Sequence, residues 1–78
     1  MPHIIVKLWP GRSEEQKKAL TDKITQAVVE SLNGTEKSVS VAFEETPREK
    51  WIQEVFIPDI ESKEDTLYKK PGYKPEDI

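Results

Sequence analysis

The sequence predicts a small α/β (α+β) domain built on a βαβ unit with a short C-terminal helix. Three observations support this fold class: a β-branched apolar segment opens the chain, a segment of helical periodicity follows, and a second alternating segment comes next. Strand, long helix and strand in this order almost always form a right-handed unit with parallel strands. The 78 residues leave room for a single domain, 1–78.

The first strand is predicted over residues 2–8, because β-branched residues dominate this segment and Trp9-Pro10-Gly11 is typical of a turn. Alternate residues of a strand face opposite sides of the sheet. One face therefore carries Ile4, Val6 and Leu8, and the other carries His3, Ile5 and Lys7.

The helix is predicted over residues 14–32. Its start is indicated by Ser13-Glu14-Glu15-Gln16, a capping box that satisfies free N–H groups and places two acids at the positive end of the helix dipole. Its end is indicated by Asn33-Gly34, which suits a left-handed cap. The apolar stripe of this helix consists of Leu20, Ile24, Ala27, Val28 and Leu32.

The second strand is predicted over residues 37–43, where Val39, Val41 and Phe43 alternate with Ser38, Ser40 and Ala42. One helix covers only one face of a small sheet, so the face that carries Ile5 and Ser40 needs another cover. A second subunit is the simplest one. We therefore expect a homodimer whose two strand pairs form one four-stranded sheet, with a hexamer of such dimers as the second possibility.

Three further elements are predicted after the second strand. Thr46-Pro47-Arg48-Glu49 resembles a second capping box, followed by a helical turn that carries Trp51 and Ile52. The apolar residues 55–57 suggest an extended segment, and residues 59–69 suggest a second helix that ends before Pro71-Gly72. The polar residues 73–78 are expected to be loose or docked on a partner, and Tyr73 is given no role.

Composition excludes several classes of function. The chain has no Cys and a single His, which argues against disulfides, metal sites and Cys nucleophiles. Its net charge of −3, with 12 basic residues interleaved among 15 acidic ones, argues against nucleic acid as a partner. No apolar segment approaches the roughly 20 residues of a membrane span, and no signal peptide is evident, which predicts a cytoplasmic chain without a membrane partner.

The second residue offers the clearest chemistry. Initiator methionine is normally removed before a small residue, which would leave Pro2 with a free secondary amine. An α-amino group has a pKa of roughly 7.7 to 8.0 and can act as a general base without a cofactor. While Met1 is attached, the same nitrogen is a tertiary amide and is not basic, so this prediction concerns the processed chain. The alternative is that Pro2 simply begins an edge strand, where its missing N–H does no harm.

The sequence also resembles the 4-oxalocrotonate tautomerase family. The resemblance rests on the starting proline, on Gly11-Arg12-Ser13 with the acids that follow, and on Ser38-Val39-Ser40-Val41, and it covers about residues 2–51. The remainder, from Trp51 to the Lys69-Lys70-Pro71-Gly72-Tyr73 ending, resembles the longer bacterial branch that acts on phenylpyruvate-type enols. The resemblance implies a cofactor-free tautomerase of small 2-oxo acids.

The resemblance also implies roles for individual residues. Pro2 would be the general base, Arg12 would bind the substrate carboxylate, and Trp51 and Trp9 would line the pocket. Ser40 departs from the family, whose founding members carry a second arginine there, so a diacid substrate is in doubt and a monoacid with an apolar body is favoured. His3 lies beside the base and is expected to support the site or to lie in an interface.

Each of these residues also has a structural interpretation. Arg12 could be a solvated residue before the helix cap, and the two tryptophans could be core or interface anchors.

Strand geometry adds a constraint that is independent of the resemblance. The six steps from Pro2 to Leu8 span roughly 20 Å, so one chain cannot easily bring Pro2 and Arg12 to one small substrate. A site shared between chains is therefore expected.

Two other functions remain open at this point. A proline held as the ammonium could serve as the acid in hydration or dehalogenation, but no water-activating carboxylate is evident at a pocket position. The chain could also be a non-catalytic oligomeric ligand-binding protein.

Overall fold

The computed structural model describes residues 1–78 and confirms the βαβ unit. Strand β1 spans His3–Leu8, helix α1 spans Glu14–Leu32 and strand β2 spans Ser40–Glu45. Helix α2, Arg48–Trp51, continues into a π-helix over Ile52–Glu61. Single 3₁₀ turns occur at Glu36–Ser38, Glu64–Thr66 and Pro75–Asp77.

The two strands form a parallel pair in which His3 lies opposite Ser40 and Leu8 lies opposite Glu45. The ladder extends beyond both ends. The N–H of Ser40 donates to the Pro2 carbonyl at 3.2 Å, and the N–H of Thr46 donates to the Leu8 carbonyl at 2.9 Å. These bonds fix Pro2 at one end of the sheet and the Leu8 end of β1 at the other.

Helix α1 begins and ends where the sequence predicts. The Ser13 hydroxyl accepts the N–H of Gln16 at 3.1 Å, and the Gln16 side chain accepts the N–H of Ser13 at 2.9 Å. Asn33 ends the helix with φ 54°, a left-handed conformation that asparagine tolerates. Part of the predicted apolar stripe is nevertheless exposed, and Leu32 retains 65% of its accessible surface.

Strand β2 is displaced from its predicted range of 37–43. Lys37 and Ser38 belong to a 3₁₀ turn, because the N–H of Ser38 donates to the Thr35 carbonyl at 3.1 Å and is not available to the sheet. At its other end the strand continues through Glu44 to Glu45. The apolar alternation identified the strand, but its boundaries depend on these backbone hydrogen bonds.

The region after β2 differs more from the predictions. Thr46 does not cap a helix, because its N–H extends the sheet and its side chain is buried, and Pro47 flanks the helix start instead. Residues 55–57 are helical and not extended. The predicted helix over 59–69 is wrong: the helix ends at Glu61, where the N–H of Ser62 donates to the Ile57 carbonyl at 2.9 Å, the wide spacing of a π-helix.

The C-terminal segment Tyr73–Ile78 is not loose. The Tyr73 hydroxyl accepts the Trp51 indole N–H at 3.0 Å, and the Tyr73 ring lies 5.8 Å from that of Phe56. The segment therefore returns along its own chain to the start of the π-helix.

One chain alone does not form a compact unit. Its accessible surface is 6302 Å², whereas a folded monomer of this mass exposes about 4,900 Å². Only Val55, Phe56 and Thr46 are buried, and Ile5, on the sheet face away from α1, is 47% exposed. The sheet face predicted to need a second cover is indeed open in the single chain.

None of the helices combines the length and the apolar character needed to cross a lipid bilayer.

We expect Ser13→Ala to destabilise the fold by about 1 kcal/mol, because it removes the hydroxyl of the capping box. Urea unfolding at one fixed protein concentration measures this difference in the free energy of unfolding. Ser31→Ala is the matched control, since Ser31 is exposed in α1 and caps nothing, and we expect it to change stability by less than about 0.5 kcal/mol. Equal losses in the two variants would contradict the prediction.

Candidate active site

A cavity of about 440 Å³ opens at the carboxyl end of β1. Its size lies within the usual range for small-molecule sites. Three of the sequence-predicted site residues, Trp9, Arg12 and Trp51, line it together. The remaining lining residues are Lys7, Leu8, Tyr73, Asp77 and Ile78. The cavity is thus mostly apolar, with a few charged groups.

Two tryptophans form one wall of the cavity. The rings of Trp9 and Trp51 meet edge to face, with centroids 6.4 Å apart and planes at 88°. The guanidinium carbon of Arg48 lies 5.4 Å from the centroid of Trp9, in the range of a cation–π contact. Because Trp51 also donates its indole N–H to Tyr73, its ring is held in position from two sides.

The two cationic side chains of the cavity differ in their availability. The ammonium of Lys7 contacts the carboxylate of Asp59 and lies 3.9 Å from Glu44, and these groups raise its pKa. Arg12 is exposed and makes no salt bridge or side-chain hydrogen bond. Arg12 is therefore the cation of the cavity that can bind an anionic ligand.

Pro2, His3 and Ser40 lie together at the opposite end of the sheet, and none of them lines the cavity. His3 Nδ1 lies 2.7 Å from the Ser40 hydroxyl, within hydrogen-bond distance. Pro2 is half-buried, and the Met1 that precedes it is fully exposed. The strand separates this group from Arg12 by roughly 20 Å. A single chain therefore holds the predicted site residues in two groups.

Sequence reasoning missed several groups around the cavity. Tyr73 and Asp77 were expected to lie in a segment that is loose or docked on a partner, and Arg48 was given no contact with Trp9. The one feature of the sequence that pointed to a packed C-terminal segment was the aromatic Tyr73 among the polar residues 73–78. The expectation that no carboxylate lies at a pocket position is wrong, because Asp77 lines the cavity.

Known proteins resemble this chain along almost its whole length. A family model described as "Tautomerase enzyme" matches residues 2–57. A probable tautomerase of Xylella fastidiosa (strain 9a5c) is 44% identical over 73 residues, which cover 94% of this chain and 89% of that protein. Tautomerase PptA of Cronobacter sakazakii (strain ATCC BAA-894) is 47% identical over 75 residues, which cover 95% and 99%.

Solved structures agree with these relatives. TomN, a 4-oxalocrotonate tautomerase homologue in the tomaymycin biosynthetic pathway, is 42% identical with a TM-score of 0.62, covering 64% of this chain and 77% of that one. A 4-oxalocrotonate tautomerase isozyme from Methylibium petroleiphilum is 38% identical with a TM-score of 0.61, covering 64% and 81%.

The pair formed by Lys7 and Asp59 is expected to stabilise the fold over a defined range of pH. Asp59 raises the pKa of Lys7, first by accepting a hydrogen bond from its ammonium, while desolvation opposes the change. Stabilisation by a raised lysine pKa is complete below the ordinary value of 10.5 and is lost as the pH rises through the folded-state pKa.

Asp59→Asn should therefore lower the urea midpoint near about pH 8, and its difference from the wild type should shrink above about pH 10.5. Asp65→Asn is the control, since it removes the same charge from an exposed residue that forms no salt bridge. A difference that stays constant with pH would contradict the assignment.

Proposed function

Because the chain belongs to the tautomerase family, we propose that it catalyses the keto-enol tautomerisation of small 2-oxo acids, with Pro2 as general base after removal of Met1. Family membership makes the chain an isomerase of the tautomerase type. The proposal concerns its substrate class and the roles of its residues, and no cofactor takes part in it. One observation carries it: the unpaired guanidinium of Arg12 borders a largely apolar cavity.

The cavity suits a monoacid of the phenylpyruvate-enol type. Arg12 supplies a planar, permanently charged partner for one carboxylate, in the geometry that favours bidentate binding. Trp9 and Trp51 supply an apolar wall for an aromatic or aliphatic body. The neighbouring Lys7 is occupied by Asp59, so the cavity offers one cation and not two.

The reaction requires one group that accepts and returns a proton. The unprotonated amine of Pro2 removes the hydroxyl proton of the enol as the carbon–oxygen bond becomes a carbonyl. The resulting ammonium then donates a proton to the neighbouring carbon, where a new C–H bond forms from the former double bond. A positioned base of this kind contributes about 10²- to 10⁴-fold, and binding by Arg12 orients the acid.

A second copy of the chain brings the two groups together. The free edge of β1 can pair with the same edge of β1 in an antiparallel partner. Both α1 helices then lie on the same side of the joined sheet only if the residues paired across this edge point to the same face. If the two-fold axis passes through Ile5, Pro2 lies opposite the partner's Leu8. If it passes through Val6, Pro2 lies opposite the partner's Pro10. In either register the amine lies beside the entrance of the partner's cavity.

The exposed sheet face and the excess accessible surface of one chain support this homodimer. A hexamer built from such dimers keeps the same shared site.

Ser40 and His3 form the part of the proposed site that lies next to Pro2. The backbone of Ser40 is bonded to Pro2, and its hydroxyl lies 2.7 Å from His3 Nδ1. This pair offers a hydrogen bond at the position where, by the resemblance, founding members of the family carry a second arginine. A second substrate carboxylate would therefore lack a guanidinium partner, which favours monoacids. His3 orients the Ser40 hydroxyl.

Hydration with Pro2 as acid is the second candidate function, because Asp77 brings a carboxylate to the cavity wall. A carboxylate in this position could activate water. Its Oδ2 atom accepts the N–H of Lys74 at 2.9 Å, which leaves the second oxygen for such a role.

Blocking the amine tests the general base. A chain with two residues added before Pro2 keeps the ring but converts its nitrogen to an amide, and we expect it to lose about 10²- to 10⁴-fold in kcat/KM on the enol of phenylpyruvate. Pro2→Ala should lose less, because it retains a primary amine. Intact mass establishes the N-terminus of each sample, and absorbance decay of the enol gives the rate. Equal rates for blocked and processed chains would reject Pro2 as the base.

Mixing two inactive chains tests the shared site. The N-terminally blocked chain and Arg12→Ala, refolded together in equal amounts, should recover about a quarter of wild-type activity, because a quarter of the sites then combine an intact Pro2 with an intact Arg12. Each variant refolded alone is the control. The expectation is the same for a dimer and a hexamer. Absence of recovery in a mixture shown to contain hetero-oligomers would place both groups of one site in one chain.

A further inference from the structure

We propose that the C-terminal segment Tyr73–Ile78 is a specificity-determining wall of the cavity, and that the Asp77 carboxylate selects monocarboxylates against dicarboxylates. This inference rests on the proposed function. The segment lies beyond residue 57, where the match to the family model ends. Three of its residues, Tyr73, Asp77 and Ile78, nevertheless line the same cavity as Arg12.

The segment is held firmly enough to act as a wall. Tyr73 accepts a 3.0 Å hydrogen bond from Trp51, and its ring lies against the buried Phe56 at 5.8 Å. Tyr73 is therefore a positioning residue that joins the segment to the tryptophan wall.

The carboxylate of Asp77 is fixed by its own turn. Its Oδ2 atom accepts the Lys74 N–H at 2.9 Å, and the N–H of Ile78 donates to the Pro75 carbonyl at 3.2 Å. Asp77 forms no salt bridge, so its negative charge is not neutralised by another side chain.

The charges that line the cavity therefore favour a ligand with one carboxylate over a ligand with two. A ligand carboxylate on Arg12 compensates the only unpaired cation. A sphere of the cavity volume is about 9 Å across, so a second carboxylate in it lies within that distance of Asp77. At an effective dielectric constant of about 20 to 40, repulsion at this distance weakens binding about fivefold to twentyfold. Asp77 therefore acts against diacids by repulsion, whereas the partner's Ser40, which the proposed dimer brings to the same site, offers a second carboxylate no guanidinium.

Inhibition constants test this role without requiring turnover of a diacid. The probes are 3-phenylpropanoate and adipate, each measured as a competitive inhibitor of enol decay by the full-length processed protein. In Asp77→Asn the amide oxygen can still accept the Lys74 N–H while the charge is removed. We expect adipate to bind about fivefold to twentyfold more tightly, and 3-phenylpropanoate to change by less than about twofold.

Glu76→Gln is the matched control, because it removes the same charge from the preceding residue, which is exposed like Asp77 but does not line the cavity. It should leave the ratio of the two inhibition constants unchanged. The effect of Asp77→Asn should also diminish at about 1 M salt, where the Debye length is about 3 Å.

Tyr73→Phe tests the anchoring of the wall. It removes the hydrogen bond to Trp51 and keeps the ring, so we expect the ratio of inhibition constants to move in the same direction as in Asp77→Asn. Tyr68→Phe is its control, since Tyr68 is fully exposed.

Two outcomes would overturn the inference. If the ratio of the two inhibition constants is unchanged in Asp77→Asn, the charge of Asp77 does not select between monoacids and diacids. If that variant loses turnover of the monoacid, Asp77 is a reacting group, as in hydration. Neither outcome concerns Pro2, whose role fails only if blocking the amine leaves the rate unchanged.

Discussion

The length of strand β1 sets the distance between the two groups of proposed site residues in one chain. A six-residue strand separates the proposed base at Pro2 from the carboxylate binder at Arg12, and extended backbone cannot be shortened to bring them together. Under the proposed function, a site for a small acid is therefore assembled from two chains. The proposed partner would also account for the weak core of the single chain, because it would cover the sheet face that one chain leaves open. Under the proposed function, folding, assembly and catalysis are coupled through this strand.

The cavity depends on residues far from β1 in the sequence. Residues 2–57, which match the family model, supply Arg12 and both tryptophans. The last turns of the chain return to Trp51 through the hydroxyl of Tyr73 and add a wall with its own charge. Residues from the N-terminal and C-terminal parts of the chain thus meet at one site. The first part provides the proposed chemistry, and the second adjusts which acid is accepted.

Local sequence signals predicted the elements that local forces control. The capping box at Ser13 and the left-handed Asn33 each act within a few residues, and α1 begins and ends accordingly. Alternation also identified the face of β1 that is turned toward α1, as its burial pattern shows. The limits of β2 were missed because they depend on whether Ser38 donates to a turn or to the sheet, and its side chain suits either.

The region after β2 could not be predicted for a different reason. A short apolar segment such as residues 55–57 is compatible with a strand or a buried helix, and its periodicity does not distinguish them. The deciding contact is tertiary, since Phe56 is buried against Tyr73, which comes much later in the chain. The position of Asp77 follows from that same contact. Sequence therefore indicated the residues of the proposed chemistry and the two tryptophans, but not the C-terminal wall of the cavity.

The charged groups on both sides of the proposed site favour a ligand with one carboxylate. Lys7 is held by Asp59, which leaves Arg12 as the cation available to a ligand, and Ser40 contributes a hydroxyl in place of a second guanidinium. Each feature lowers the attraction for a second carboxylate, and Asp77 adds repulsion on the far wall. Because the proposed dimer brings Ser40 of one chain and the partner's Asp77 to the same ligand, their effects on a diacid are expected to be coupled and not simply additive in free energy. Selection for one negative charge is then distributed over the whole site and does not depend on one residue.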